Sequence, residues 1–463
     1  MIARGTFAAS TAAIVLAFAV SPALVQENGL VLHGPLEVIP GVGSIARPDT
    51  SVPSPGVFHT HLQILIRDTP LTAPPRPGAQ VPQSGSSGQT PASLACVYNL
   101  VTQSNGCDPY SVSALPTGGN TTNPIVIVDA YNNPTVVNDL KSFSSYFGLP
   151  TPSITVYYCN HSTCGTTVKP PPRNAGWALE QALDVETAHS MSPKAPIILV
   201  EAYSSSFSDL FLAERYAASL AAAKGGGEVT NSWGGNEFSG ETTYDSYFTG
   251  AGVIFFASTG DAPGVEYPSA SPNVVAVGGT TLVLNNSFQF QYHATWATNS
   301  SEAGGGGISA YEPVPSYQSG APSAASQLNG FRGVPDISAD ANPVSGLWVY
   351  CTPSSCGLGF GFRASPWVQV GGTSLSSPLL AGMTNYAIAN NPNSAPPSSS
   401  AALLAQIYSN LGSNPNYYEV TNEDPENSNA YCYNGPQDGP LTSLPSGWNV
   451  CTGAGTPQQL GGF

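Results

Sequence analysis

Apolar runs of strand length alternate with longer helical stretches from about residue 91 onward. A parallel sheet covered on both faces requires this alternation. The predicted strands are Ile125–Tyr131, Ile154–Cys159, Ile197–Tyr203, Glu228–Trp233, Val253–Ser258 and Val274–Gly279. The predicted helices are Thr135–Phe147, Gly176–Ser190, Phe207–Ala223, Ser374–Ala389 and Ala401–Leu411. The pattern predicts an α/β fold, a doubly wound and mostly parallel sheet with helices on both faces, in one domain over residues 91–463.

The first 90 residues differ in composition from the rest. Residues 1–25 resemble a secretory signal, with Arg4 followed by an apolar run from Ala12 to Val20. Residues 26–90 are rich in Pro, Gly and Ser and are interpreted as a short pro-segment or linker. The histidines in it, His59 and His61, are interpreted as incidental. No later stretch reaches the roughly 20 apolar residues of a transmembrane helix, so we expect a secreted, extracellular protein without a membrane partner.

The eight cysteines fall into four close pairs. In an exported protein this spacing predicts four local disulfides. They pair Cys96 with Cys107, Cys159 with Cys164, Cys351 with Cys356, and Cys432 with Cys451. The cysteines lack the C-x-x-C spacing or nearby histidines of a zinc site.

Charged residues are scarce: 28 are acidic and 12 are Lys or Arg, which gives a net charge of −16. A nucleic-acid partner is therefore not expected. In strong acid, the 12 Lys and Arg and 6 His limit the positive charge to +18, so self-repulsion stays small when the carboxylates become neutral. The composition favours a protein that works in acid.

Ser374 follows two glycines and a strand-like stretch, at the predicted start of a helix. A helix start exposes the hydroxyl and surrounds it with free backbone N–H groups that favour a developing negative charge. The position predicts a nucleophile, and a plain helix cap is the alternative.

The base that a serine nucleophile needs is not a histidine here, because none lies at a Gly-flanked helix start between Asp129 and Ser374. Glu180 and Asp184 lie four residues apart in an otherwise apolar helical stretch, so both carboxyls leave the same face. Like charges so close share a proton, which raises one pKa. In acid a carboxyl can take and return a proton where a histidine would stay protonated. A solvated helix face is the alternative.

Asp261 lies in a Gly-rich turn directly after the predicted strand Val253–Ser258, where parallel sheets bind ligands. Burial there would raise its pKa, and a neutral carboxylic acid can donate a hydrogen bond to an oxyanion. The alternative is a turn-forming aspartate.

Together these segments resemble the kumamolisin-like sedolisin family of serine-carboxyl peptidases, which have a subtilisin-like fold. The resemblance covers roughly residues 91–463. Its motifs begin at Glu180, Asn231, Ser258, Tyr267, Gly278, Trp296, Gly304, Pro335 and Gly371.

The resemblance implies roles for individual residues. Ser374 would be the nucleophile, Glu180 the general base and then acid, Asp184 the group that orients Glu180, and Asp261 part of the oxyanion hole. Asp129, at a strand end, would extend the hydrogen-bond chain. The stretch Ser232, Trp233, Gly234 and Gly235 would bind a polypeptide substrate by strand addition. We expect a monomer that uses no organic cofactor.

Two features depart from the family pattern. The usual large folded propeptide is replaced by only about 65 residues after the signal. The family's calcium site would correspond to Glu419, Val420, Gly447 and Asn449, a set with too few carboxylates for tight Ca²⁺ binding. The sequence leaves open whether Ca²⁺ or the Cys432–Cys451 disulfide holds this loop.

The leading prediction is an acid-acting secreted endopeptidase that forms an acyl-enzyme on Ser374. A non-catalytic secreted binding protein that retains the fold is the alternative from another class. A neutral Ser-His-Asp protease is the enzyme alternative.

Overall fold

The structure is a computed structural model of the chain. It describes residues 23–27, 29–69, 73–78, 88–101, 106–117, 123–285, 289–299, 301–358, 365–391, 395–412, 417–420, 444–458 and 463. Most of the predicted signal and Cys432 therefore lie outside the described residues.

The strands are numbered in chain order and alternate with helices through the middle of the chain. They are β1 (Ala23–Glu27), β2 (Leu30–Ile39), β3 (Gly43–Pro48), β4 (His59–Thr60), β5 (Gln63–Arg67), β6 (Ile125–Ala130), β7 (Ile154–Cys159), β8 (Cys164–Gly165), β9 (Ile197–Ala202), β10 (Gly227–Asn231), β11 (Trp233–Asn236), β12 (Val253–Ser258), β13 (Glu266–Tyr267), β14 (Val275–Leu284), β15 (Phe290–Thr295), β16 (Ala297–Asn299), β17 (Glu302–Ala303), β18 (Gly307–Pro313), β19 (Phe331–Val334), β20 (Ile337–Asp340), β21 (Leu347–Tyr350), β22 (Trp367–Gly371), β23 (Tyr417–Tyr418) and β24 (Thr456–Pro457).

The helices are numbered in the same way. They are α1 (Pro91–Val97), α2 (Val136–Phe147), α3 (Ala175–Met191), α4 (Phe207–Ala222), α5 (Ser316–Ser319), α6 (Pro322–Ala325), α7 (Pro353–Cys356), α8 (Thr373–Asn390) and α9 (Ser400–Ser409), with 3-10 helices at Asp49–Ser51 and Glu241–Tyr247.

The central sheet has the spatial order β15-β14-β12-β10-β6-β9-β7-β8, with β20 beside β14. The strands from β14 through β12, β10, β6 and β9 to β7 run parallel. The edge strands β15 and β8 are antiparallel to their neighbours. The predicted α/β class with a mostly parallel sheet is therefore confirmed.

The middle strand β6 shows why helices cover both faces. All six of its residues are buried, and successive side chains point to opposite faces. Ile125 and Ile127 belong to the core that contains α3 and α8, whereas Val126 and Val128 belong to the core that contains α4. The carboxyl ends of the parallel strands consequently lie between these two layers of helices.

The N-terminal segment is built into the domain. Strands β1, β2, β3 and β5 continue into β22 and β21 as one six-stranded sheet. In this sheet β5 is antiparallel to β22, with Gln63 opposite Gly371, so the segment pairs with the strand that leads to Ser374. The linker interpretation does not hold for residues 30–67, while the domain division and the pro-segment interpretation stay predictions.

Three predicted disulfides are confirmed: Cys96–Cys107, Cys159–Cys164 and Cys351–Cys356. Cys451 is also disulfide-bonded, and its predicted partner Cys432 lies outside the described residues. Among the residues that the structure describes, no helix is long and apolar enough to cross a membrane.

Candidate active site

Ser374 lies in the first turn of α8, immediately after β22 and Gly372. Gly372 has φ +94°, and a Cβ there would lie 2.0 Å from the carbonyl oxygen of His61, so only glycine fits this turn. Ser374 is fully buried. Its hydroxyl donates to the Ser232 carbonyl oxygen at 3.3 Å and accepts from the His61 backbone N–H at 3.1 Å.

Glu180 and Asp184 face Ser374 from α3, which packs against α8. Both carboxyls are fully buried. Burial raises the pKa of Glu180 well above its usual value, and the nearby Asp184 adds to the rise, whereas hydrogen bonding by the Ser374 hydroxyl opposes it. Neither Glu180 oxygen has a hydrogen bond of standard geometry to another described residue. No other described group therefore competes with Ser374 for the Glu180 oxygens.

Asp184 is held by a second serine. The Ser232 hydroxyl donates to Asp184 Oδ1 at 2.8 Å. Burial raises the pKa of Asp184, and hydrogen bonds from Ser232 and Glu180 oppose the rise. The two buried carboxyls therefore titrate as a pair that shares a proton.

Asp261 approaches from the opposite side, in the turn after β12. Its Oδ1 accepts from the backbone N–H of Thr373 at 2.7 Å and from the Thr373 hydroxyl at 3.0 Å. Its Oδ2 has no hydrogen-bond partner among the described residues. Burial raises the pKa of Asp261 to about 7. The side chain is therefore a neutral carboxylic acid in acid solution, with one oxygen available as a donor.

Asp129 ends the same central strand, β6, that separates the two helical layers. The residue is fully buried, and neither of its carboxyl oxygens has a partner within the described part of the chain. Burial raises its pKa well above the usual value, and the charges of Asp184 and Glu201 add to the rise. Asp129 therefore influences the Glu180–Asp184 pair through charge.

The predicted substrate-binding edge is already paired with the chain itself. Strand β4 is antiparallel to β11, with Trp233 opposite Thr60 and Gly234 opposite His59. One further step of this register places His61 opposite Ser232. There the Ser374 N–H donates to the His61 carbonyl oxygen at 3.1 Å. A backbone segment from the N-terminal region thus lies directly against Ser374.

Sequence reasoning missed this arrangement. The histidines of β4 were interpreted as incidental, yet His61 contacts Ser374 through both backbone groups. A usable signal was present, because Leu62, Ile64 and Ile66 alternate with other residues as in a strand. The surrounding Pro- and Gly-rich composition obscured that signal.

The predicted calcium ligands use their oxygens for backbone contacts. Glu419 Oε1 accepts from the Gly447 N–H at 2.7 Å. Asn449 Oδ1 accepts from the N–H groups of Cys451 and Thr452, and Val420 is fully buried. These two side-chain oxygens are already occupied by N–H donors and do not fit a calcium site. Calcium binding stays an untested prediction.

The comparisons with known proteins agree with this geometry. The Peptidase_S8 profile, described as Subtilase family, matches residues 173–432, more than half of the chain. The chain belongs to the subtilase family. Sedolisin from Pseudomonas sp. (strain 101) is 31% identical over 194 residues, covering 41% of this chain and 29% of that protein. Kumamolisin from Bacillus sp. (strain MN-32) is 29% identical over 358 residues, covering 69% of this chain and 56% of that protein.

A solved structure of Pseudomonas sedolisin, a serine-carboxyl proteinase complexed with two molecules of pseudo-iodotyrostatin, shares the fold of this subtilase-family chain. Its TM-score is 0.60 at 24% identity, covering 81% of this chain and 96% of that one. The recognition of the sedolisin family from the sequence is confirmed. The matches span less than two thirds of both curated relatives.

Proposed function

We propose that this subtilase-family protein is a secreted, acid-acting serine-carboxyl endopeptidase. The observation that supports the proposal most directly is the position of Ser374. The Ser374 hydroxyl stabilises the ionised form of the Glu180 carboxyl, and the backbone N–H of the adjacent Thr373 donates to Asp261. A nucleophile, a carboxyl base and a neutral acid therefore converge on the start of α8.

The mechanism follows from these contacts. Ser374 attacks the peptide carbonyl carbon as Glu180 takes the hydroxyl proton, and Asp184 stabilises the proton on Glu180. The Ser374 N–H and the neutral Asp261 donate to the oxyanion. Glu180 then gives the proton to the leaving amine, which leaves an acyl-enzyme. Water attacks the acyl-enzyme by the reverse proton path and releases Ser374 and a carboxylic acid.

Polypeptide substrates are supported by the edge of β11. In the structure this edge pairs with an extended segment, β4, and the next residue has its carbonyl oxygen on the Ser374 N–H. An extended substrate bound in the same way would present a peptide bond to Ser374. Such a substrate must first displace β4.

Acid action is supported by buried carboxyls that face amides rather than cations. Glu201 accepts from Asn132, and Glu228 accepts from Asn385. Burial raises the pKa of each glutamate to about 8. No salt bridge involves either residue in the described part of the chain. The folded state therefore prefers both carboxyls neutral.

We expect the free energy of unfolding to rise as the pH falls from 8 to 4. Between the unfolded pKa of about 4.5 and the folded pKa of about 8, the folded state binds more protons. The stabilisation is complete below about pH 4.5 and is lost as the pH rises toward 8, by several kcal/mol in all (roughly 1.4 kcal/mol per pKa unit per group). Urea unfolding at pH 4, 6 and 8 measures it.

Two variants control this prediction. Glu228→Gln should flatten the pH dependence, because an amide is neutral at every pH. Asp68→Asn should leave it unchanged, because Asp68 is exposed. Equal pH dependence in all three proteins would contradict the role of the buried carboxyls.

A second candidate function is a non-catalytic secreted binding protein that retains the fold. The closed site favours it, because Ser374 is fully buried and the substrate edge is paired internally. In this case β4 would never leave.

Incubating the purified protein with a denatured protein substrate from pH 3 to 8 separates the candidates. The proposed peptidase has an acid optimum and produces internal cleavages, which mass spectrometry of the peptides identifies. Ser374→Ala is the blank for contaminating proteases. Wild-type protein that cleaves no faster than this blank at any pH supports the binding protein, and a neutral optimum contradicts both candidates.

A further inference from the structure

Two histidines of the N-terminal segment and one glutamate meet beside the nucleophile. Strands β4 and β13 lie on either side of β11 in a three-stranded sheet. His59 and His61 reach Glu266 of β13 across the middle strand. Gly234 lies in that strand, and a Cβ there would be 2.8 Å from Glu266 Oε2 and 2.9 Å from His61 Cε1. The glycine leaves the space that the three side chains occupy.

The ligand atoms have the separations of a metal site. His61 Nε2 is 2.9 Å from Glu266 Oε2, and His59 Nε2 is 3.5 Å from Glu266 Oε1. The three residues each offer a ligand atom within 4.8 Å of the others, and all three are buried. Tetrahedral zinc bonds of 2.0 to 2.2 Å place neighbouring ligand atoms about 3.3 Å apart. Small side-chain adjustments would satisfy this geometry.

The hydrogen bonds around the imidazoles allow the Nε2 lone pairs to face the glutamate. His59 Nδ1 contacts the Thr60 carbonyl oxygen at 3.3 Å, which can only accept, so Nδ1 carries the hydrogen. His61 Nδ1 contacts the Ser258 hydroxyl at 2.6 Å, and that hydroxyl donates to the Asn231 carbonyl oxygen. With the hydrogen on Nδ1, His61 can bind an ion through Nε2; without an ion, Nε2 can instead donate to Glu266 Oε2 at 2.9 Å.

With the hydrogens on Nδ1, three acceptor groups face one another. The Nε2 atom of each neutral imidazole has a lone pair, and the Glu266 carboxylate has only lone pairs. His59 Nε2 is buried without a hydrogen bond to any described residue. One divalent cation at the centre would bind all three groups. Imidazole and carboxylate ligands suit Zn²⁺ and related transition metals, and ligating histidines usually donate their other N–H to an oxygen, as both do here.

A cavity of ≈ 520 Å³ borders the cluster on the His59 side, where Gly235 and Glu237 also line it. His59 Nε2 itself is buried, so an ion would enter from this cavity after a small movement of the His59 side chain. Little positive charge repels a cation from the cluster. Arg47 acts electrostatically on His59, but its own charge is paired with Glu302 at 2.8 Å.

We propose that His59, His61 and Glu266 bind a transition-metal ion of the Zn²⁺ type, and that this ion fastens the β4 segment to β13 across β11, beside Ser374. Solvent supplies the remaining ligand. The site does not require the proposed peptidase activity, since its residues bind the ion whether or not Ser374 is reactive.

The test uses the full chain carrying Ser374→Ala, which prevents self-digestion and separates metal binding from catalysis. Equilibrium dialysis against Zn²⁺ at pH 7, followed by elemental analysis, should give one ion per chain. Co²⁺ in place of Zn²⁺ should give the intense visible absorption of a four-coordinate site. His59→Ala and Glu266→Gln, each added to Ser374→Ala, should raise the dissociation constant for Zn²⁺ by about 100-fold or more. Loss of a group that only hydrogen-bonds a metal ligand already costs up to about 100-fold, and loss of a ligand itself should cost at least as much.

His161→Ala in the same background is the matched control, because His161 is largely exposed and pairs with Asp209 elsewhere on the surface. It should bind Zn²⁺ like the parent. Circular dichroism checks that each variant is folded. If His59→Ala does not fold, Glu266→Gln still tests the proposal, because it keeps the shape of the side chain. A parent that binds no Zn²⁺, or variants that bind as tightly as the parent, would overturn the proposal and leave a hydrogen-bonded network only.

Discussion

Glu180→Gln should reduce the rate of peptide hydrolysis by on the order of 10⁴- to 10⁶-fold, as the loss of a nucleophile or its base does in other serine peptidases. The glutamine has nearly the same shape but cannot accept the Ser374 proton. Substrate binding should change little, because the substrate edge is formed by β11 and not by α3. Single-turnover kinetics at pH 4 measures the loss in kcat.

Glu186→Gln is the matched control for this prediction. Glu186 lies on the same helix, is also fully buried and accepts from the Tyr350 N–H at 2.8 Å, away from Ser374. It should retain wild-type kcat. The double variant Ser374→Ala and Glu180→Gln should be no slower than either single variant, because the two residues act as one unit. A Glu180→Gln protein with more than a tenth of wild-type kcat would remove Glu180 from the mechanism.

The central sheet could be predicted because its strands are continuous apolar runs. The bounds of β7 and β12 agree with the prediction residue for residue. The same reasoning ended the strand at Gly279, although β14 continues to Leu284. A Cβ on Gly279 would lie 2.7 Å from the Trp296 ring. The glycine is required because the Trp296 ring packs closely against the strand. A single sequence does not distinguish a glycine of this kind from one that marks a turn.

The carboxyl residues of the site could be predicted from local signals. Helical spacing places Glu180 and Asp184 on one face, and a turn after a parallel strand places Asp261 at the carboxyl edge of the sheet. Whether these faces meet depends on how α3 and α8 pack, which local pattern does not state. The family resemblance supplied that information, and the structure brings the groups together.

The part that could not be predicted is the partner of the substrate edge. A strand of two residues has almost no pattern of its own, and β4 is 173 residues from β11 in the chain. Its pairing is fixed by the register that β5 imposes through β22, where Gln63 lies opposite Gly371. Long-range pairing of this kind depends on the assembled fold, so the alternation of Leu62, Ile64 and Ile66 can indicate a strand but not the partner of β4.

Asp261→Asn should remove the alkaline limb of the pH–activity profile. Burial raises the pKa of Asp261 to about 7, so wild-type activity should fall as the pH rises through about 7, where the carboxylate forms and repels the oxyanion. The amide never ionises, and it can still accept from Thr373 through Oδ1 while donating through Nδ2.

In acid, this variant should be slower than wild type because an amide is a weaker donor than a carboxylic acid, by up to about the 10²- to 10³-fold that loss of an oxyanion donor costs. The deficit should shrink above pH 7, where the wild-type donor is lost. Glu302→Gln is the matched control, since burial raises the pKa of Glu302 also to about 7, but its partners are Arg47 and Gln63. Profiles of kcat/KM from pH 3 to 9 distinguish the two residues. If the alkaline limb persists in Asp261→Asn and disappears in Glu302→Gln, the group that titrates is Glu302. That result would refute the oxyanion role of Asp261.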